Sequence, residues 1–157
     1  MISNFSFELE YKIYIGAKVY FDDDKERFYT QKLQAKKAQA DQSPDDNLCG
    51  VWWDENSKRC HMAILKTDEK YSVIIQWSSS SVENTEWTMT GTWNKKAKEL
   101  VFNDECCITY KGYHDNSHIE VYTEYEDGTG RLFMKGDELY WEDATKNVGR
   151  RCRFKKD

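Results

Sequence analysis

Apolar and polar residues alternate with a period of two through most of this chain. Tyr71, Val73, Ile75 and Trp77 alternate with Ser72, Ile74 and Gln76, and Trp87, Met89, Gly91 and Trp93 alternate with Thr88, Thr90 and Thr92. A strand turns successive side chains to opposite faces, so each run predicts a strand with one buried face. Further strands are predicted over 50–54, 58–66, 98–103, 105–111, 117–126, 130–135, 138–142 and 149–155. Turn chemistry separates them: Glu55-Asn56-Ser57, Asn94-Lys95-Lys96, Asp115-Asn116, Asp127-Gly128 and Gly136-Asp137. Connections this short join antiparallel neighbours, because a parallel crossover needs a dozen or more residues. A meander of eight to ten strands hides its edges most simply by closing on itself. The predicted fold is therefore mainly β, a single antiparallel up-and-down barrel over residues 49–157.

Residues 1–48 read differently, as a strand, a helix and a linker in front of the barrel. Phe5, Phe7, Leu9, Tyr11, Ile13 and Ile15 alternate with Ser6, Glu8, Glu10, Lys12 and Tyr14, the pattern of a half-buried strand. This opening lacks the basic start, unbroken apolar run and small-residue cleavage site of a secretory signal. Asp22, Asp23 and Asp24 precede a run of good helix formers from Lys25 to Ala40, with acids early and lysines late, as the helix dipole favours. Phe28, Leu33 and Ala35 make a weak apolar stripe, so this helix is expected to rest lightly on the barrel. Residues 41–47 carry the only proline and read as a linker.

Composition narrows the class. The chain has 157 residues, a formal net charge of −5 and 32% charged residues, yet carries 6 Trp, 10 Tyr and 7 Phe. That richness in rings excludes a disordered chain. Mild acidity argues against a nucleic-acid partner, and no apolar run approaches the ~18 residues of a membrane helix. Charge does not separate the parts: residues 1–48 hold 7 basic and 9 acidic residues, the remainder 16 and 19. The five cysteines, Cys49, Cys60, Cys106, Cys107 and Cys152, contain no C-x-x-C pair, so most are expected to be small buried hydrophobes. Cys49 and Cys152 flank the domain and would approach each other on closure, which makes them a candidate disulfide.

Two resemblances follow from particular residues. Gly50-Val51-Trp52 opens the first barrel strand in the G-x-W form of lipocalins and avidin-like barrels. In those families an arginine of the last strand packs over that tryptophan, which implies a closing role for Gly50, Trp52 and either Arg151 or Arg153. The second resemblance rests on Gly50-Val-Trp-Trp-Asp-Glu55, Trp77-Ser-Ser-Ser80, Thr85-Glu-Trp-Thr-Met89, Asp127-Gly-Thr-Gly130 and Leu139-Tyr-Trp-Glu-Asp143. Together these resemble an uncharacterised lipocalin-like (calycin-type) module of exported or surface proteins from gut Gram-positive bacteria, over residues 49–155. It implies a lipocalin-like barrel and an extracytoplasmic or cell-surface setting, and it implies no activity.

Candidate chemistry is sparse. Cys60 and His61 are neighbours and point to opposite faces of a strand, so they cannot pair as nucleophile and base. His114 and His118 could join Cys106 or Cys107 around Zn²⁺ only if their turn folded inward; an exposed polar turn is the ordinary reading, and no metal or cofactor is expected. The carboxylate pairs Asp54/Glu55, Asp104/Glu105, Glu126/Asp127 and Glu142/Asp143 read as solvated strand ends rather than as acids facing across a cleft. Alternation in Arg150–Lys156 puts Cys152 and Phe154 on one face and Arg151, Arg153 and Lys155 on a solvated other. Trp77, Trp87, Trp93 and Trp141 fall on inward faces of three predicted strands, and an eight-stranded barrel can either be filled by such rings or hold one small ligand among them. Ser79 and Ser80 would supply hydroxyls at one mouth. The expected function is a non-catalytic barrel binding a small apolar or sugar-like ligand at the cell envelope. The alternative is a structural or protein-interaction module with a filled barrel, using residues 1–47 to dock a neighbour or a second copy.

Overall fold

The computed structural model describes residues 32–37, 48–112 and 119–157. Eight strands run in sequence order around a closed cylinder: β1 (Gly50–Asp54), β2 (Cys60–Thr67), β3 (Lys70–Ser78), β4 (Glu83–Asn94), β5 (Glu99–Gly112), β6 (Ile119–Lys135), β7 (Glu138–Asp143) and β8 (Arg153–Lys156). Every pairing is antiparallel, and β8 returns to β1 through Trp52↔Lys156, Trp53↔Lys155 and Asp54↔Phe154. The expected up-and-down barrel is thus observed, with eight strands.

Two pairs of expected strands are single long ones. The segments predicted at 98–103 and 105–111 form β5, and those at 117–126 and 130–135 form β6. Asp127-Gly128 makes no turn. Asp127 adopts a left-handed backbone (φ 56°), and the β5–β6 register slips between Phe102 and Ile108. A residue at positive φ serves a bulge as readily as a hairpin, so the strand bends here and continues. The other described turns stand where expected. Asn94 caps its turn by accepting the Lys96 and Ala97 N–H groups at 3.1 and 3.0 Å. Asp115, Asn116, His114 and His118 lie outside the described residues.

Gly136 and Gly149 both sit at positive φ, 65° and 81°, but in different surroundings. A Cβ on Gly136 would meet open space, whereas one on Gly149 would fall 2.5 Å from the Trp141 ring. Gly136→Ala should therefore cost about 1 kcal/mol of left-handed strain. Gly149→Ala should cost at least twice as much, because the ring must also move. Urea denaturation of both variants separates the two effects, and equal midpoints would show that Trp141 yields freely.

The interior is one continuous cluster. It includes Trp52, Met62, Ile64, Val73, Ile75, Trp87, Met89, Leu100, Phe102, Leu132, Leu139, Trp141 and Phe154. The opposite, outward parity of β1–β3 carries a smaller cluster of Val51, Ala63 and Ile74, against which Ala35 of helix α1 (residues 32–37) is wholly buried. Lys32 lies over the Trp53 ring and Lys36 pairs with Asp157 at 2.6 Å, while Leu33 stays exposed. The contact is narrow, since one alanine is the only core residue the six described helical positions contribute. Phe28, and the strand expected over 5–15, lie outside the described residues.

The expected approach of Cys49 to Cys152 is not observed, and no disulfide joins any of the five cysteines. Register explains it. With Trp52 opposite Lys156, an antiparallel partner places Cys152 level with residue 56. Cys49 lies seven residues away toward the other end of the barrel, roughly 20 Å at a rise of about 3.3 Å per residue.

Candidate functional site

The four inward tryptophans share one cluster but differ in depth. Trp141 and Trp87 stand at the centre, 0% and 6% exposed, edge to face with ring centroids 4.9 Å apart. Trp77 and Trp93 are half-buried against the same cluster, and they occupy opposite ends of the barrel. Trp77 pairs with Thr85 beside the β3–β4 loop, whereas Trp93 pairs with Leu100 beside the β4–β5 turn. They do not converge on a common point. Ser79 and Ser80 are exposed at the Trp77 end, where both backbone N–H groups bond to the Glu83 carbonyl and the Ser80 hydroxyl accepts the Val82 N–H. These serines tie their own loop.

Buried beside Trp87 and Trp141 lies a polar group that strand-end reasoning placed in solvent. Glu105 and Asp143 are both wholly buried. Glu105 lies inside β5, two residues before Cys107, and Asp143 ends β7, two residues after Trp141. Both therefore share the inward face. One phenol joins them: the Tyr125 hydroxyl lies 3.1 Å from Glu105 Oε2 and 3.0 Å from Asp143 Oδ2, and it accepts the Trp87 Nε1–H at 3.1 Å. Asp143 is further engaged by the N–H groups of Thr145 (2.6 Å) and Lys146 (3.2 Å), which fix the β7–β8 loop. The Trp141 indole faces the Glu105 carboxyl without forming a well-aligned bond. Among the described residues neither Glu105 Oε1 nor Trp141 Nε1 has a geometrically sound partner.

Burial and the neighbouring Asp143 carboxylate push the Glu105 acid up to about 8, although the Tyr125 and Trp141 donors pull the other way. At neutral pH Glu105 is thus largely a neutral acid beside Asp143. Burial, then the two carboxyls, holds the Tyr125 phenol protonated. The Cys107 thiol is pushed up to about 12, chiefly by burial, and stays a thiol. The arrangement is two buried carboxyls joined through one phenol. It differs from two acids facing across a water-filled gap, because both carboxyls reach the same oxygen.

The expectation that the carboxylate pairs are solvated is corrected for one member of three of them. Asp54, Glu105 and Asp143 are buried, while Glu126 and Asp127 are exposed. Asp54 accepts the N–H and hydroxyl of Ser57 (2.9 and 2.7 Å) and the N–H of Arg153 (2.9 Å), tying β1 to β8. Neighbouring carboxylates mask this at the level of the text. Alternation reveals it, since Glu105 and Asp143 continue the parity of Cys107 and Trp141.

No protein-family model, curated protein or solved structure matched the chain. The likeness to known barrels therefore rests on the architecture: eight antiparallel strands, closed, in sequence order, compatible with a lipocalin-like fold.

The closure residues complete the picture. Gly50 opens β1, and the buried Trp52 donates Nε1–H to the Leu48 carbonyl at 2.9 Å. The cation over the Trp52 ring belongs to Lys156, 5.4 Å from its centroid. Arg153 bonds Glu55 at 2.8 Å and approaches Glu138 at 3.6 Å, and Arg151 is exposed. Lys155 also pairs with Glu55, at 2.9 Å, so acids already meet much of the basic outer face of β8. His61 stacks on Trp53 outside the barrel while Cys60 faces the core, and burial with the nearby Lys32 ammonium pushes His61 down to about 4. Among the described residues no group of three metal-ligating side chains converges, and no helix is long and apolar enough to cross a membrane.

Proposed function

We propose that the chain is a non-catalytic structural or protein-interaction module of lipocalin-like form, whose barrel is filled by its own side chains. One observation carries this reading. Trp52, Trp141, Phe154, Met62, Ile64, Ile75, Leu100, Leu132 and Leu139 are all under 2% exposed, as is the Glu105 carboxyl among them. Burial to that degree supports a centre packed as a core. Binding then belongs to the outside. Supporting this, β6 pairs with β7 only from Gly130 onward, so its earlier half extends past β7 with Val121 and Tyr122 56% and 47% exposed. The setting implied by the resemblance is the cell envelope, and residues 1–47 are the natural second docking element.

A ligand reading is best supported at the Trp77 rim, where a half-buried indole adjoins the exposed Ser79 and Ser80. A sugar-like ring stacked there would be a shallow contact. Tryptophan emission is expected to stay unchanged across hydrophobic dyes and oligosaccharides, while light scattering on the same full-length sample reports self-association. A saturable one-to-one shift in emission by an apolar dye would overturn the filled barrel. A shift by oligosaccharide that Trp77→Ala removes would favour the rim instead.

A further inference from the structure

The outward face of an antiparallel sheet ordinarily meets solvent, yet over β1–β5 it does not. Val51, Ala63 and Ile74 stand level across β1–β3 on that face. One step along the strands, Trp53, His61, Gln76 and Glu86 stand level across β1–β4, and Tyr110 of β5 lies a further step on. Ile74, Gln76, Glu86 and Tyr110 are only 2%, 7%, 1% and 3% exposed. Helix α1 accounts for the first row, where Ala35 packs on Val51, Ala63 and Ile74. Another part of the chain must cover Gln76, Glu86 and Tyr110. Gln76 Nε2 donates to Glu86 Oε2 at 3.0 Å, but an amide does not balance the charge of a buried carboxylate, which calls for a cation.

The placement of α1 points to the cover. Ala35 lies on the first row, and Lys32, about one turn earlier, lies over the Trp53 ring in the second. Followed backwards, the helix therefore heads for the row of Glu86. Lys32 and Lys36 share one flank, turned to Trp53 and to Asp157 beyond β8. At 100° per residue, the opposite flank faces β4, and continuing the spiral puts Gln31 and Arg27 on it. Phe28, seven residues before Ala35, returns to the face that Ala35 buries, about 10 Å back along the axis. The rows stand about 7 Å apart, so Phe28 arrives at and just past the second. We propose that residues 25–31 carry the helix on over the outer face of this same barrel. Phe28 then seats over Gln76 and Tyr110, and the Arg27 guanidinium bonds the Glu86 carboxylate. The extension is thus anchored to its own barrel by a charge pair as well as by Ala35, and only the residues before 25 are left to reach a neighbour. The inference concerns the outer face and holds whether or not the interior is filled.

A double-mutant cycle in the full chain tests the pair. Arg27→Met should lower the folding equilibrium constant roughly a hundredfold, because it leaves a buried carboxylate without its cation. Glu86→Gln should lower it less, since a released guanidinium can turn to solvent. Together the two should cost no more than Arg27→Met alone. Additive losses, or an Arg27→Met chain as stable as the wild type, would overturn the proposal. Hydroxyl-radical footprinting of the wild-type chain needs no variant to fold. Phe28 and Tyr110 should be oxidised several-fold more slowly in buffer than in urea, while the exposed Leu33 of the same helix changes little. Phe28 oxidised as freely in buffer as in urea would sink the inference. Protection that fades on dilution, as light scattering reports the loss of a dimer, would assign the docked helix to a second copy and overturn it equally.

Discussion

The barrel is expected to lose stability steadily as pH rises from about 4.5 to about 8, and a Glu105→Gln variant is expected to lose much less. In the unfolded chain Glu105 ionises near its ordinary value of 4.5, while in the folded barrel it holds its proton up to about 8. A raised folded value means that the native state binds a proton the unfolded state has released. The stabilisation linked to that proton is complete below about 4.5 and is lost as pH climbs through the window. The slope is about 1.4 kcal/mol per pH unit for one proton, so the loss amounts to a few kcal/mol. Glutamine keeps an acceptor for the Tyr125 hydroxyl and removes the titration. Denaturant unfolding of both proteins at several pH values checks this, with the difference between them as the readout. Parallel curves for wild type and Glu105→Gln would mean that Glu105 is ionised in the fold.

Trp141→Ala is expected to cost about 3–5 kcal/mol, a large share of the stability of a domain this size. The indole is wholly buried, meets Trp87 edge to face, lies against Gly149 and faces the Glu105 carboxyl. Alanine would leave a cavity whose walls are strands fixed by their ladders, so little collapse can offset it. Phenylalanine keeps a six-membered ring but loses the rest of the indole with its Nε1–H, leaves a smaller void and should cost less. Urea midpoints at constant slope measure both. A Trp141→Ala loss below about 1 kcal/mol would show that the centre repacks freely, contrary to a filled core.

Much of the barrel was readable from alternation. Tyr71 to Trp77 and Trp87 to Trp93 lie on strands with the expected parity, and Phe154 and Cys152 face inward as Arg153 and Lys155 face out. Strand count was less readable, because an Asp-Gly at positive φ can bend one strand or join two, and only the partner strand decides between them. The carboxyl pair was hidden for a different reason. Asp104 and Glu142, beside it, are solvent-side acids, and adjacent acids read as one polar strand end. Their opposite parity carries the information, and following it would have put Glu105 and Asp143 among the tryptophans. Tyr125, which joins them, sits beyond a register slip, where counting by twos fails.

The order of strands around the cylinder also shapes the route by which it assembles. Every neighbouring pair but one is consecutive in the chain, so those ladders can zip from their connecting turns. The exception joins Trp52 to Lys156, partners about a hundred residues apart, through the shortest strand of all. Closing so long a loop for so few ladder bonds gives little immediate return against its entropy. The seam between β1 and β8 is therefore the last joint to set and the first to part, and the chain spends its slowest moments as an open, curled sheet with two bare edges.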